Sequence, residues 1–184
     1  MKVRHYPGLP APAPLRRWAA ALLCGALLAV AGCGGSKPQA LRTAPPVQRD
    51  WPVVQADDPA AATSVLMRAI GLAGTPYRYG GNTPESGFDC SGLVTYVYRD
   101  VLDLRLPRTS RELAQVQGPK IEPRRLAPAD LVFFGSRGNV THVGIYVGEG
   151  RFVHAPSTGG TVRLDHLDGP YWRDHYTGAK RVLR

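Results

Sequence analysis

The hydrophobic pattern of the chain changes period at Pro128, and this constrains the fold more than any other feature. Before Pro128 the apolar residues recur at helical spacing. Asp58-Pro59 reads as an N-cap followed by proline at the first helical position, and Ala62, Val65, Leu66, Ala69, Ile70 and Ala73 follow on one face, so a helix is expected to end near Gly74. Leu93, Val94, Val97 and Val101 mark a second helix from Cys90 to about Leu102, and a short third is expected over Ser110–Gln117. After Pro128 short strand-like runs take over: Leu131–Phe134, His142–Val147, Arg151–Ala155, Thr161–Leu164 and Ala179–Leu183. Helices first and antiparallel strands after predict an α+β domain over 59–184, long enough for its own core.

The N-terminus reads as a targeting segment. Arg16-Arg17 precede a 14-residue run, Trp18–Ala31, that is apolar or small throughout. A helix of that length is too short to cross a hydrocarbon core of about 30 Å, whereas a basic stretch before a short apolar one fits a secretory signal. The run ends in Val30-Ala31-Gly32-Cys33, which resembles a bacterial lipobox. The expectation is a signal peptide over 1–32 and lipidation at Cys33, with membrane attachment through it. Residues 33–58, with Pro38, Pro45, Pro46 and Pro52, are expected to form a flexible linker. The net charge of +9 is uneven, four units falling in residues 1–32. Sixteen bases against eleven acids remain in 59–184, so the domain could meet an anionic polymer. An exported, lipid-anchored chain leaves no place for a nucleic-acid partner.

Of the three cysteines, Cys24 lies in the apolar run and Cys33 at the lipobox, so Cys90 is the only free thiol expected in the mature chain. Exported proteins usually pair their cysteines, so a lone thiol calls for a chemical role. Cys90 lies in Gly87-Phe88-Asp89-Cys90-Ser91-Gly92, at the start of a helical pattern, where the helix dipole favours thiolate. A nucleophilic thiol needs a base, and His142 and His154 are the candidates. They flank the turn Gly148-Glu149-Gly150. If Val147 pairs with Arg151, Gly144 faces His154 and His142 is its diagonal neighbour on the same face. A two-residue loop would shift the register and put the histidines on opposite faces. A zinc site from Cys90, His142 and His154 is a further possibility, although no metal-binding spacing supports it.

Taken together, several runs resemble the NlpC family of papain-like bacterial cell-wall peptidases. They are Gly74-Thr75-Pro76-Tyr77-Arg78-Tyr79-Gly80-Gly81, the Cys90 segment, Leu106-Pro107-Arg108-Thr109-Ser110, Pro128-Ala129-Asp130-Leu131, His142-Val143-Gly144-Ile145-Tyr146, Phe152-Val153-His154-Ala155 and Pro170-Tyr171-Trp172. The resemblance spans nearly all of 59–184. It implies a papain-like α+β fold, with the Cys-bearing helix packed on an antiparallel sheet. It implies Cys90 as nucleophile, His142 as base and His154 as the third polar residue. Tyr77 would line the site near the oxyanion, and Asp89 and Ser91 would help hold a peptidoglycan stem peptide, although both residue types are also good helix caps.

The implied activity is hydrolysis of a murein amide without metal or cofactor, by a monomer. The bond is either D-glutamyl–diaminopimelate within a stem or the diaminopimelate–D-alanine crosslink. A non-catalytic wall-binding lipoprotein, or an amidase or acyltransferase on another substrate, are the alternatives. Gly34 after Cys33 resembles the signal for transfer to an outer membrane, which would place the domain in the periplasm.

Overall fold

The computed structural model describes residues 49–157 and 160–183. The expected signal peptide 1–32, the lipidation site Cys33 and linker residues 34–48 lie outside the described residues.

Helix α1 (Pro59–Gly71) begins where proline and a capping carboxylate dictate: Asp58 Oδ1 accepts the Ala61 N–H at 2.9 Å. It ends three residues before Gly74. The following loop holds a small antiparallel ribbon, β1 (Asn82–Thr83) with β2 (Gly87–Phe88), that the irregular composition did not reveal. Helix α2 (Cys90–Leu102) has the expected bounds, and α3 stops at Leu113 after one capped turn from Ser110. The rest is a five-stranded antiparallel sheet of β3 (Leu131–Ser136), β4 (Asn139–Gly148), β5 (Arg151–His154), β6 (Arg163–His166) and β7 (Tyr176–Lys180), in the order β6-β5-β4-β3-β7. A short helix, α4 (Pro170–His175), precedes β7. Strand β6 starts two residues later than expected because Thr161 instead bridges to Pro76, and β7 starts three residues earlier, directly after α4.

Both faces of the sheet are covered. Leu131, Phe133, Val143, Ile145 and Val153 pack with Leu93, Val94 and Val97 of α2 and Val65 of α1. Val132, Phe134, Tyr146 and Phe152 form a second core on the other face, with Trp51 and Trp172 against it. The alternation follows the period of two. Trp51 lies in the stretch read as linker, yet its indole N–H donates to Asp168 at 2.9 Å and its ring lies 6.2 Å from that of Tyr146. The ordered unit therefore starts before Pro59, because an aromatic side chain with a buried partner ties the approach segment down.

The β4–β5 hairpin fixes the geometry on which the site depends. Gly148 pairs with Arg151, so the loop is the two-residue Glu149-Gly150, both at positive φ (52° and 73°) as the tightest hairpin turn requires. Taken alone, this register would put His142 and His154 on opposite faces. A bulge between Tyr146 and Gly148 absorbs one residue, after which Tyr146 pairs with Phe152 and Ile145 with Val153. The next position places Gly144 across from His154, and His142 shares its face. Gly144 is needed there: a Cβ would sit 2.6 Å from the Phe152 ring and 3.0 Å from the Val153 carbonyl oxygen. Gly144→Ala is expected to destabilise the domain by about 1–3 kcal/mol through overpacking. Chemical denaturation checks this, and an unchanged midpoint would contradict the register argument.

Candidate active site

Cys90 opens α2, and three contacts hold that helix start in place. Asp89 is the N-cap, its Oδ1 accepting the Gly92 N–H at 2.7 Å and the Ser91 hydroxyl at 3.1 Å. Arg108 clasps the same carboxylate with both terminal nitrogens, at 2.9 and 2.6 Å, and also donates to Ser91 Oγ at 2.9 Å. Gly92 lets the Gly80-Gly81 loop lie directly on the helix, since a Cβ would come within 2.0 Å of the Gly81 carbonyl oxygen. Asp89 and Ser91, expected as substrate contacts, thus first act as cap and brace for the helix that Cys90 opens. Burial alone would raise the Asp89 pKa, but the hydrogen bonds from Arg108 and Gly92 and the Arg108 charge prevail and hold it below the usual carboxylate range.

The loop carrying Tyr77 is fixed from two sides. Its N–H donates to the Gly160 carbonyl at 2.8 Å, and the Arg78 N–H to the Phe88 carbonyl at 2.9 Å. Tyr77 is half-buried and packs on the core cluster that includes Cys90. Burial, then the negative charges that Cys90 and Asp89 would carry, raise its pKa.

Strand β5 stops at His154, and helix α2 packs against β4. The Val143 N–H lies near enough to the Cys90 sulfur to favour its ionised form, so the residue after His142 is a neighbour of the thiol. On the other face of β4, His142 Nε2 and His154 Nδ1 lie 2.9 Å apart in a hydrogen bond, with the rings nearly perpendicular. His142 makes no other hydrogen bond to the described residues, so its Nδ1 is the uncommitted nitrogen. Trp172 of α4 stacks on the His142 ring at 5.2 Å. His154 is fully buried, and its Nε2 lies 3.0 Å from Asp165 Oδ2. This is not a metal-binding arrangement, because the facing nitrogens of the two histidines are spent on each other.

The electrostatics revise one expectation. Helix position should favour the thiolate, but burial raises the Cys90 pKa above its ordinary value. The N–H groups of Val143, Ser91 and Cys90 itself oppose the rise, while the Asp89 charge adds to it. The cap carboxylate takes the Gly92 N–H, so only the Cys90 and Ser91 N–H groups of that terminus are left to favour ionised sulfur. Burial, followed by the proximity of His154, pushes His142 down to about 3 against a small opposing effect of Asp165. Burial also lowers His154 despite its bond to Asp165. The substrate-free pair is therefore a neutral thiol and a neutral imidazole.

The structure gathers Asp89 and Ser91 with Cys90 at the start of α2 and joins His142 to His154 on β4 and β5, and Val143, next to His142, links the two groups. Sequence reasoning missed three contributors: Arg108, Asp165 and Trp172. Asp165 would have been visible with β6 in its true register. His154 pairs with Arg163, so Asp165 is its diagonal neighbour on the same face.

Residues 74–181, which contain every one of these side chains, match the model of the NlpC/P60 family. The chain belongs to the NlpC/P60 family. Among curated members, the murein DD-endopeptidase MepH of Escherichia coli K12 is 45% identical over 126 residues, covering 66% of this chain and 46% of MepH. The chain thus spans about half the length of the curated relatives it matches first. Among solved structures, an NlpC/P60 family protein from Bacillus cereus aligns with a TM-score of 0.63 at 29% identity, covering 74% of this chain and 43% of that one. RipD of Mycobacterium tuberculosis, described as a non-catalytic NlpC/P60 domain protein adapted to peptidoglycan binding, aligns with a TM-score of 0.56 at 27% identity, over 67% of this chain and 98% of its own. The papain-like α+β arrangement expected from sequence is that of these NlpC/P60 domains.

The buried imidazoles give this NlpC/P60 domain a pH signature. An unfolded histidine titrates near 6.5, whereas folded His142 holds its proton only below about 3. Between these values the unfolded state binds more protons, so the contribution of His142 to stability is complete above about pH 6.5 and is lost as pH falls toward 3. The melting temperature should fall between pH 7 and 4.5, and His142→Gln should flatten that slope. A wild-type melting temperature constant over that range would contradict the assignment.

Proposed function

We propose that the chain is a cysteine-type peptidoglycan endopeptidase. The observation that carries this reading is the uncommitted Nδ1 of His142, whose ring is held by buried His154. His142 lies one residue along β4 from Val143, whose N–H favours the ionised form of Cys90, the only free thiol among the described residues. A scaffold needing only to bind the wall has no use for a buried, hydrogen-bonded imidazole pair and a lone thiol at a helix start. The curated relatives bear endopeptidase names, which supports the substrate class.

The steps follow from these positions. His142 Nδ1 takes the Cys90 proton as sulfur attacks a stem-peptide carbonyl carbon, forming the C–S bond and moving the carbonyl electron pair onto oxygen. The Cys90 and Ser91 N–H groups, left over when the Asp89 cap takes the Gly92 and Leu93 N–H groups, face that oxyanion, with Tyr77 alongside. The oxyanion collapses, the C–N bond breaks and His142 returns the proton to the leaving amine. Water, deprotonated by His142, then cleaves the thioester and regenerates the thiol. His154 keeps the His142 ring oriented, and no metal or cofactor enters. Because both groups start neutral, proton transfer accompanies attack.

Finer points belong to the same proposal. The scissile bond is the diaminopimelate–D-alanine crosslink or the D-glutamyl–diaminopimelate stem bond. The chain acts as a monomer in the cell envelope, tethered through lipidated Cys33 and, in a two-membrane cell, facing the periplasm.

Digestion of purified peptidoglycan by the full chain, read by mass spectrometry, tests the proposal. Loss of crosslinked dimers marks the first bond, and fragments beginning with diaminopimelate mark the second. Cys90→Ala should abolish turnover. His142→Ala should cost about 10²–10⁴-fold, as expected for loss of a general base, and His154→Ala less. Wild-type turnover by Cys90→Ala would overturn the mechanism. Unchanged peptidoglycan that nevertheless retains the protein would favour a binding role like that described for RipD.

A further inference from the structure

Behind His154 lies a carboxylate to which the mechanism above gives no task. Asp165 Oδ2 lies 3.0 Å from His154 Nε2, and it accepts the Trp172 indole N–H at 2.9 Å and an Arg163 guanidinium N–H at 3.0 Å. Three donors around one oxygen, two of them obligatory, hold Asp165 ionised. Burial works against this, but the hydrogen bonds from His154, Arg163 and Trp172 prevail, and its pKa lies well below the usual carboxylate range.

An ionised carboxylate only accepts, so His154 must carry its proton on Nε2. A neutral imidazole has one N–H, which leaves His154 Nδ1 as an acceptor. Across the 2.9 Å contact, His142 Nε2 must then be the donor. That leaves the lone pair of His142 on Nδ1, the one nitrogen with no partner among the described residues.

We propose that Asp165 is a positioning residue that sets the tautomer of His142 through His154, so that the Asp165–His154–His142 chain presents Nδ1 of His142 as the base for Cys90. Without Asp165, His154 could carry its proton on Nδ1 and donate to His142 Nε2. His142 would then hold its own proton on Nδ1, where it cannot act as base. Trp172 serves the same end from the other side, stacking on His142 while its N–H holds Asp165. Sequence motifs give no hint of this chain, because Asp165 lies outside every run that carries the family resemblance.

The inference rests on the hydrolase reading for its consequence, but not for its test. Long-range proton–nitrogen spectra of the full chain, labelled in histidine and recorded at pH 7, report which ring nitrogen carries the proton. The wild type should show His142 and His154 both protonated on Nε2. Asp165→Ala should lose this single state. Asp165→Asn should keep it, since an amide carbonyl can accept from both His154 and Trp172. On purified peptidoglycan, Asp165→Ala should lower kcat about 10–100-fold with little change in KM, and Asp165→Asn should recover most of the loss. The expected fall is smaller than the roughly 10⁴-fold cost of a wrong tautomer imposed directly on a catalytic base, because one more ring intervenes. A wild-type spectrum with His142 protonated on Nδ1 would overturn the inference without any variant. So would a folded Asp165→Ala chain that keeps the wild-type tautomers. A wild type inactive on peptidoglycan but with the expected spectra would count against the hydrolase reading and leave the tautomer assignment standing.

Discussion

The hydrogen bond between His142 Nε2 and His154 Nδ1 is the contact on which the site depends. It forms because one bulge in β4 offsets the register imposed by a two-residue turn, bringing both histidines to one face. Remove the bulge and the same residues would point to opposite cores. A bulge beside an active site is a common way to aim a side chain. Here it decides whether the two histidines can bond to each other.

Burial shapes the chemistry as much as geometry does. Both His142 and Cys90 resist their charged forms, the imidazole pushed down and the thiol pushed up. A thiolate–imidazolium pair would have to be stabilised in a largely dry setting, and the carboxylates nearby are already committed: Asp89 to Arg108 and the helix N-terminus, Asp165 to His154, Trp172 and Arg163. The thiol and the imidazole are both neutral, and the imidazole is fixed by its chain to His154 and Asp165. In the proposed mechanism, charge then develops only as the carbonyl carbon is attacked, where preorganised N–H groups can meet it.

Much of this was legible in the sequence, and the reasons are local. Helix α2 was readable because Asp89 caps it and its apolar spacing is regular. Cys90 stood out by elimination among three cysteines. The two histidines were identifiable, but their shared face was not decidable from the turn, because a bulge leaves no mark in residue type. Asp165 was lost to a two-residue error in the start of β6, and Arg108 because its partner is 19 residues away. Trp51 escaped notice because proline-rich surroundings suggested a free linker, whereas a single indole against Asp168 ties that segment to the fold.

The central claim is that Cys90 rests as a neutral thiol with a neutral His142 imidazole as its proposed base. The most direct measurement is the rate of Cys90 alkylation by iodoacetamide as a function of pH, mapped to the Cys90 peptide by mass spectrometry. The account predicts a rate that rises through one titration above the ordinary thiol value of 9.0, with no reactive plateau in acid. A high rate that persists down to pH 5 would mean a resting thiolate–imidazolium pair, and would contradict it.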